Sequence, residues 1–330
     1  MTSSERITLR GSPVVVAPGK MFLIGEYAVL DGAPAIVTAV GRLATGQFVP
    51  GIEAGSALVK EAVALALSGI GDHAAALPEG SVMVDTSAFS TGGHKLGLGS
   101  SAAVAVVSVA AVLEMAGLPV AGNRELCFSL AERAHRQAQG GVGSGADVAA
   151  AVHGGVIRYR RPTAGAPVVD KVRLPPDLHL VVFGEGKPAS TPDLVRAVQS
   201  LAEREPARYL QAMQRLCAEA EAFVEALAAG NVAALIAAAG AYEEGLVALG
   251  QAAGVAIVTP RFEIASELAS NLGGVAKPSG AGGGDVGVAF FSEAAAARNF
   301  TSRLRQLGLL VVDAGFDANG VRRKQRTDNL

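Results

Sequence analysis

Glycine in this chain gathers into short segments far apart in sequence, and each runs straight into a regular element. That placement constrains the fold more than any other feature. The first segment is Gly92-Gly93-His94-Lys95-Leu96-Gly97-Leu98-Gly99-Ser100-Ser101, emptying into an Ala/Val-rich run over 102–115 that reads as a core helix. Gly97 and Gly99 admit backbone conformations closed to other residues and let a ligand approach closely. Ser100 and Ser101 can cap a helix or reach a phosphate or a metal. A loop of this kind points free N–H groups and a helix dipole at whatever it faces, which suits an anion. Taken alone, it reads equally well as a tight turn ahead of a Ser-capped helix.

The second segment, Gly140-Gly141-Val142-Gly143-Ser144-Gly145, puts Asp147 at or just inside the start of another small-residue helix. An aspartate there is stabilised by first-turn N–H groups, and by itself it reads first as a capping or first-turn carboxylate. The third, Ser279-Gly280-Ala281-Gly282-Gly283-Gly284-Asp285, is too glycine-dense to be only structural. Each glycine costs conformational entropy unless close backbone approach is needed. Three amide-rich corners together suit an elongated polyanion. The pattern GxxxxGK[ST] is absent, and no GxGxxG follows a strand with an acidic residue about twenty positions on, so neither a P-loop nor a Rossmann site is supported.

At 330 residues, two domains are expected. Half the residues are apolar and tryptophan is missing, the profile of a soluble globular protein. A net charge of −2 gives no case for nucleic acid, so an anionic ligand must be met by a few local cations. Lys20 is one, the single charge in Val14–Ile24, a β-stretch that Pro18 interrupts as an edge, bulge or loop. It reads either as a solvated edge lysine or as a cation aimed into a cleft. Cys127 and Cys217 lie in helix-like apolar runs and are expected as buried free thiols of a cytoplasmic protein. Residues 1–14 are polar and charged, unlike a signal peptide. The longest uncharged apolar run, 102–113, falls short of the ~20 residues of a membrane helix, so no membrane partner is expected.

Strands are expected over 34–40, 81–85, 154–159, 178–183, 286–291 and 308–312, with a turn at Asp31-Gly32. Helices are expected over 53–67, 125–139, 208–227, 232–249, 261–272 and 294–306. Over 208–227 the residues Leu210, Met213, Leu216, Phe223 and Leu227 form one apolar stripe. Arg158, Arg160 and Arg161 read as a solvated strand edge. Helices and strands alternate without a strict βαβ rhythm, which gives an α+β class.

Val16-Ala17-Pro18-Gly19-Lys20, Gly97-Leu98-Gly99-Ser100-Ser101-Ala102 and Ser279-Gly280-Ala281-Gly282-Gly283-Gly284 resemble, in that order, the three motifs of the GHMP small-molecule kinases. The resemblance spans nearly the whole chain. It implies a two-domain GHMP kinase fold: a ribosomal-protein-S5-like α/β domain over 1–176 with the ATP loop and a catalytic aspartate, then a ferredoxin-like α+β domain over 177–330 with the third motif. Within the family, Gly25-Glu26-Tyr27-Ala28-Val29-Leu30, Ala134-His135-Arg136-Gln137-Ala138-Gln139-Gly140, Lys95, Ala189-Ser190-Thr191 and Asp285 most resemble the phosphomevalonate kinases. His135 stands where mevalonate kinases carry a metal-binding glutamate, which leaves the metal ligands open.

This likeness implies ATP- and Mg²⁺-dependent phosphorylation of (R)-5-phosphomevalonate to (R)-5-diphosphomevalonate, in the mevalonate route to isoprenoids, by a monomer or homodimer. Mevalonate kinase is the nearest alternative, and a non-catalytic nucleotide-binding relative the next. Lys20 and Asp147 take the catalytic places. ATP falls to Lys95, Gly97, Leu98, Gly99, Ser100, Ser101 and Ala102, with Ser101 on the metal. Substrate falls to Lys20, Tyr27, His135, Ser144, Gly145, Asp147, Ser190, Thr191, Ser279, Gly280, Ala281 and Gly282. Lys187 and Arg196 are further candidate cations.

Overall fold

The computed structural model describes residues 12–162, 165–186 and 191–325, with the backbone alone at Thr191 and Pro192. Lys187 and Ser190, and the side chain of Thr191, fall outside the described residues.

The first layer is organised by two long, apolar, antiparallel strands, β1 (Val14–Ile24) and β2 (Ala35–Pro50). β1 is not interrupted at Pro18. The register jumps between Pro18 and Gly19, so a bulge at Gly41 and Arg42 of β2, opposite that step, absorbs the missing donor while β1 continues. β2 is long enough to carry two neighbours on its other edge: β3 (Gly80–Asp85) along 45–50 and β6 (Val156–Arg160) along 35–38. β7 (Val168–Val172) follows β6, and two short strands, β4 (Ser90–Thr91) and β5 (His94–Lys95), form a hairpin ahead of the first glycine loop. The helix Ser100–Met115 lies against β1 and β2. Its small Ala and Val side chains are buried on nearly every side.

The second layer is an antiparallel sheet in the order β11-β8-β10-β9, from Leu310–Val312, His179–Gly184, Gly287–Phe291 and Val275–Pro278. Phe183 meets Phe262 and Phe300 edge-on, tying two helices to this sheet. The helices Pro206–Ala228 and Val232–Ala253 pack against each other. Val232–Ala253 has the length and apolar composition of a membrane span. It also carries Glu243 and Glu244 and buries Tyr242, Leu246 and Leu249.

Several expectations change here. Leu210 is 54% exposed, while Met213, Leu216, Phe223 and Leu227 are buried, so the stripe starts one turn later. The helix Thr191–Arg204 and strands β7 and β9 have no counterpart in the sequence reading, β9 running directly into the third glycine segment. The tail crosses back over the expected boundary at 176/177. Asp317 N–H donates to Ala39 O, and β12 (Arg322–Arg323) pairs with β1, so the chain ends on the first sheet. Both cysteines are unpaired; burial pushes the Cys127 thiol up to about 12, while Cys217 is only partly buried, short of the expectation.

Candidate active site

β12 covers β1 only at Val15 and Val16, which leaves the later part of that edge open. The first glycine loop fills it, with Lys20 N–H donating to Leu98 O at 2.8 Å. The Lys20 side chain is not a solvated edge lysine. It is 9% exposed and runs beneath Gly99, where a Cβ would stand 2.7 Å from Lys20 Cγ. Its ammonium ends 3.6 Å from the Cβ position of Gly280, in the third segment. One lysine therefore touches the second and third motifs from the first. Gly99 caps the helix Ser100–Met115 without a side-chain partner, which leaves that helix start to a ligand.

Asp147 is the second residue of the helix Ala146–His153. Its Oδ1 accepts from Val148 N–H at 2.9 Å, and Oδ2 faces His135 Nδ1 at 3.8 Å. Across the cavity, the third segment is pinned by Gly283 N–H donating to Ile257 O at 2.9 Å. Gly282 has φ +86°, and a Cβ there would lie 2.2 Å from the same carbonyl oxygen. Gly282→Ala is expected to cost more than ~1 kcal/mol, because the backbone conformation and the space both exclude a side chain. A lower denaturant midpoint for the variant checks it.

Tyr27 links the two layers, donating to Ala281 O at 2.7 Å. It holds φ 61°, and among the described residues no other non-glycine residue has a positive φ. Strain of this kind persists where surrounding contacts over-determine it. Here they do: Tyr242 Oη donates to Glu26 O, and Lys277 Nζ donates to the Glu26 carboxylate and to Pro278 O. The Lys277 and Glu26 side chains are 0% and 1% exposed. Burial pushes the Lys277 ammonium down, and Glu26 opposes that shift.

These elements enclose a cavity of about 200 Å³. Three buried oxygens lacking a hydrogen-bond partner, Glu26 Oε2, Ser279 Oγ and Asp285 Oδ1, belong to residues on its wall. Unsatisfied buried groups on one cavity mark a place where a polar ligand completes the bonding. The Asp285 carboxylate packs on Gly97, whose added Cβ would stand 2.3 Å from it. Burial pushes the Asp285 carboxyl up, against the pull of Lys20 and Lys95.

The pattern described as GHMP kinases N terminal domain matches residues 57–155, and that described as GHMP kinases C terminal matches 223–308. A phosphomevalonate kinase from Streptomyces sp. is 30% identical over 361 residues, covering 91% of this chain and 94% of that protein. The chain belongs to the GHMP kinase family. A mevalonate kinase from Aeropyrum pernix is also 30% identical, over 87% of this chain and 90% of that one. Among solved structures, Streptococcus pneumoniae phosphomevalonate kinase in complex with phosphomevalonate and AMPPNP has the same fold. Its TM-score is 0.77 at 21% identity, over 94% of this chain and 99% of that one. The expected two-domain α+β architecture of the family is the one observed.

In this GHMP kinase, Lys20, Tyr27, Lys95, Gly97, Gly99, Ser100, Ser101, Ser144, Asp147, Ser279, Gly280, Ala281 and Gly282 all line the one cavity. Four expected site residues do not. The Leu98 side chain is buried in the core and its carbonyl holds Lys20, while Ala102 is buried within the helix packing. Gly145 caps a helix, and a Cβ there would meet Glu132 and the Tyr159 hydroxyl. His135, expected on substrate, lies behind the wall against Ser101. Arg196 is exposed and paired with Asp193 and does not line the cavity, although its neighbour Val195 does. Arg158 is paired with Asp170 and Arg160 with Glu221. Arg161 is half-buried, donating to Glu132 at 2.9 Å and to Ser144 O at 2.7 Å, so it supports the Ser144 turn rather than facing solvent. The sequence reading missed Phe22, Glu26 and Gln139 on the wall; each stood inside or beside a quoted motif without a signal of its own.

Proposed function

We propose that this GHMP kinase transfers the γ-phosphoryl group of ATP to the phosphate of (R)-5-phosphomevalonate, yielding (R)-5-diphosphomevalonate and ADP in the mevalonate route to isoprenoids. The observation that carries the reading is the buried Lys20 ammonium between the Gly99 turn and the Gly280 turn, in the same cavity as Asp147. Phosphoryl transfer needs positioning and neutralisation of charge on the migrating group more than covalent help. An oxygen of the acceptor phosphate attacks the γ-phosphorus, the bond to the bridging oxygen breaks, and ADP leaves with that electron pair. The acceptor is already an anion, so a strong base is hardly required, and Asp147 acts mainly by orienting it. Lys20 and Lys95 offset the repulsion between the two phosphate groups, and Ser100 and Ser101 present the helix start to the nucleotide tail.

Among the described residues, no group of three or more His, Cys, Asp or Glu side chains gathers to hold a metal. A Mg²⁺ ion would be held here mostly by oxygens of the substrates, with Ser101 as the protein's oxygen donor. It supplies charge neutralisation on the phosphates. The free thiols fit a cytoplasmic enzyme.

Mevalonate is the second candidate acceptor, favoured by the equal identity of the Aeropyrum pernix enzyme. A coupled ADP-release assay across phosphomevalonate, mevalonate, homoserine and galactose separates the two. Turnover with phosphomevalonate is expected, and turnover with mevalonate alone would overturn the proposal.

A further inference from the structure

His135 is buried, yet it joins the two ends of the proposed reaction. Its Nε2 lies 3.1 Å from Ser101 Oγ and 3.0 Å from Gln139 Nε2, while Nδ1 lies 3.8 Å from Asp147 Oδ2. The Asp147 carboxylate, which can only accept, faces Nδ1 and favours a proton there, and the Gln139 amide, oriented with its nitrogen toward the ring, donates to Nε2. The ring proton is then on Nδ1, facing Asp147. Nε2 has a single lone pair, which the Ser101 hydroxyl at 3.1 Å shares with Gln139, so the ring fixes the direction of the Ser101 hydroxyl on the cavity wall. The contact to Asp147 exceeds hydrogen-bond length, as catalytic contacts often do before substrate binds.

We propose that His135 is a positioning residue, held in the Nδ1–H tautomer, that sets the Ser101 hydroxyl as an oxygen donor toward the nucleotide and its metal and fixes the direction in which Asp147 presents its carboxylate. It acts through these two residues and does not touch substrate. The inference rests on the phosphoryl-transfer reading of the cavity but not on which acceptor is used. Partners that orient ligand residues in this way are typically worth about ten- to a hundred-fold in activity or metal affinity.

Two measurements test it. Long-range ¹H–¹⁵N correlation of the ligand-free enzyme reads the tautomer without any turnover. The chain has five histidines, and His135 is assigned by difference, either from His135→Gln or by removing His73, His94, His153 and His179 in turn. A proton on Nδ1 and a bare Nε2 is expected; a proton on Nε2 would overturn the proposal. Kinetics provide the second reading. His135→Gln keeps an acceptor near Ser101, and His135→Asn keeps a donor near Asp147. Each is expected to lower kcat by about ten-fold or more with the melting temperature nearly unchanged, and the KM for ATP is expected to rise only in His135→Asn, which loses the acceptor near Ser101. Unchanged kcat in either variant, or a loss that only follows lost stability, would overturn it.

Discussion

Asp147→Asn is expected to lose at least ~100-fold in turnover while keeping its fold and its affinity for ATP. The reason is local. Asp147 is held by the first turn of its own helix, with Oδ1 on Val148 N–H, and asparagine can keep that bond through its carbonyl oxygen. The substitution removes charge and leaves shape. The oxygen facing His135 is the one that changes, on a residue that lines the same cavity as Lys20 and Ser101. Steady-state kinetics together with nucleotide titration check the split. Near-normal turnover would remove Asp147 from the mechanism, and weakened ATP binding would give it a different role.

Lys277→Met is expected to destabilise the protein by about 3–5 kcal/mol, the usual cost of removing one partner from a buried ion pair. Lys277 is fully buried, and Glu26 is equally enclosed with one oxygen already unpartnered. Without the ammonium, a charged carboxylate is left in an apolar setting. A second change, Glu26→Gln in the same chain, is expected to recover much of the loss, because the two effects belong to one interaction. Denaturant midpoints for the two single variants and the double variant check this. Turnover should fall as well, since Glu26 holds Tyr27 in its strained conformation and Tyr27 holds the Ala281 carbonyl.

The motif residues show what a sequence can carry. Lys20, Gly97 to Ser101, Asp147 and Gly280 to Gly282 each advertise themselves locally, as a charge in an apolar stretch, a glycine before a helix or a carboxylate at a helix start. Their convergence on one cavity follows from chemistry that one ligand must satisfy. Other features have no local signal. Glu26 and Lys277 stand 251 positions apart, and each alone reads as an ordinary charged residue. His135 sits in a helix where nothing in the spacing says whether it faces the ligand or the residues behind it. Pro18 looks like a break because a missing donor is visible in sequence, whereas the bulge that tolerates it depends on the partner strand. The returning tail is a tertiary choice too: Asp317 accepts from Asn319 N–H, Gly320 N–H and Arg322, and so folds the last residues back to the first sheet.

The central claim is that this cavity moves a phosphoryl group from ATP onto a phosphate already carried by the acceptor. Phosphorus NMR of the enzyme with ATP and phosphomevalonate tests it most directly. The account predicts loss of the acceptor's single phosphate resonance and growth of two mutually coupled diphosphate resonances, in step with ADP. ADP accompanied by inorganic phosphate, with the acceptor resonance intact, would contradict it.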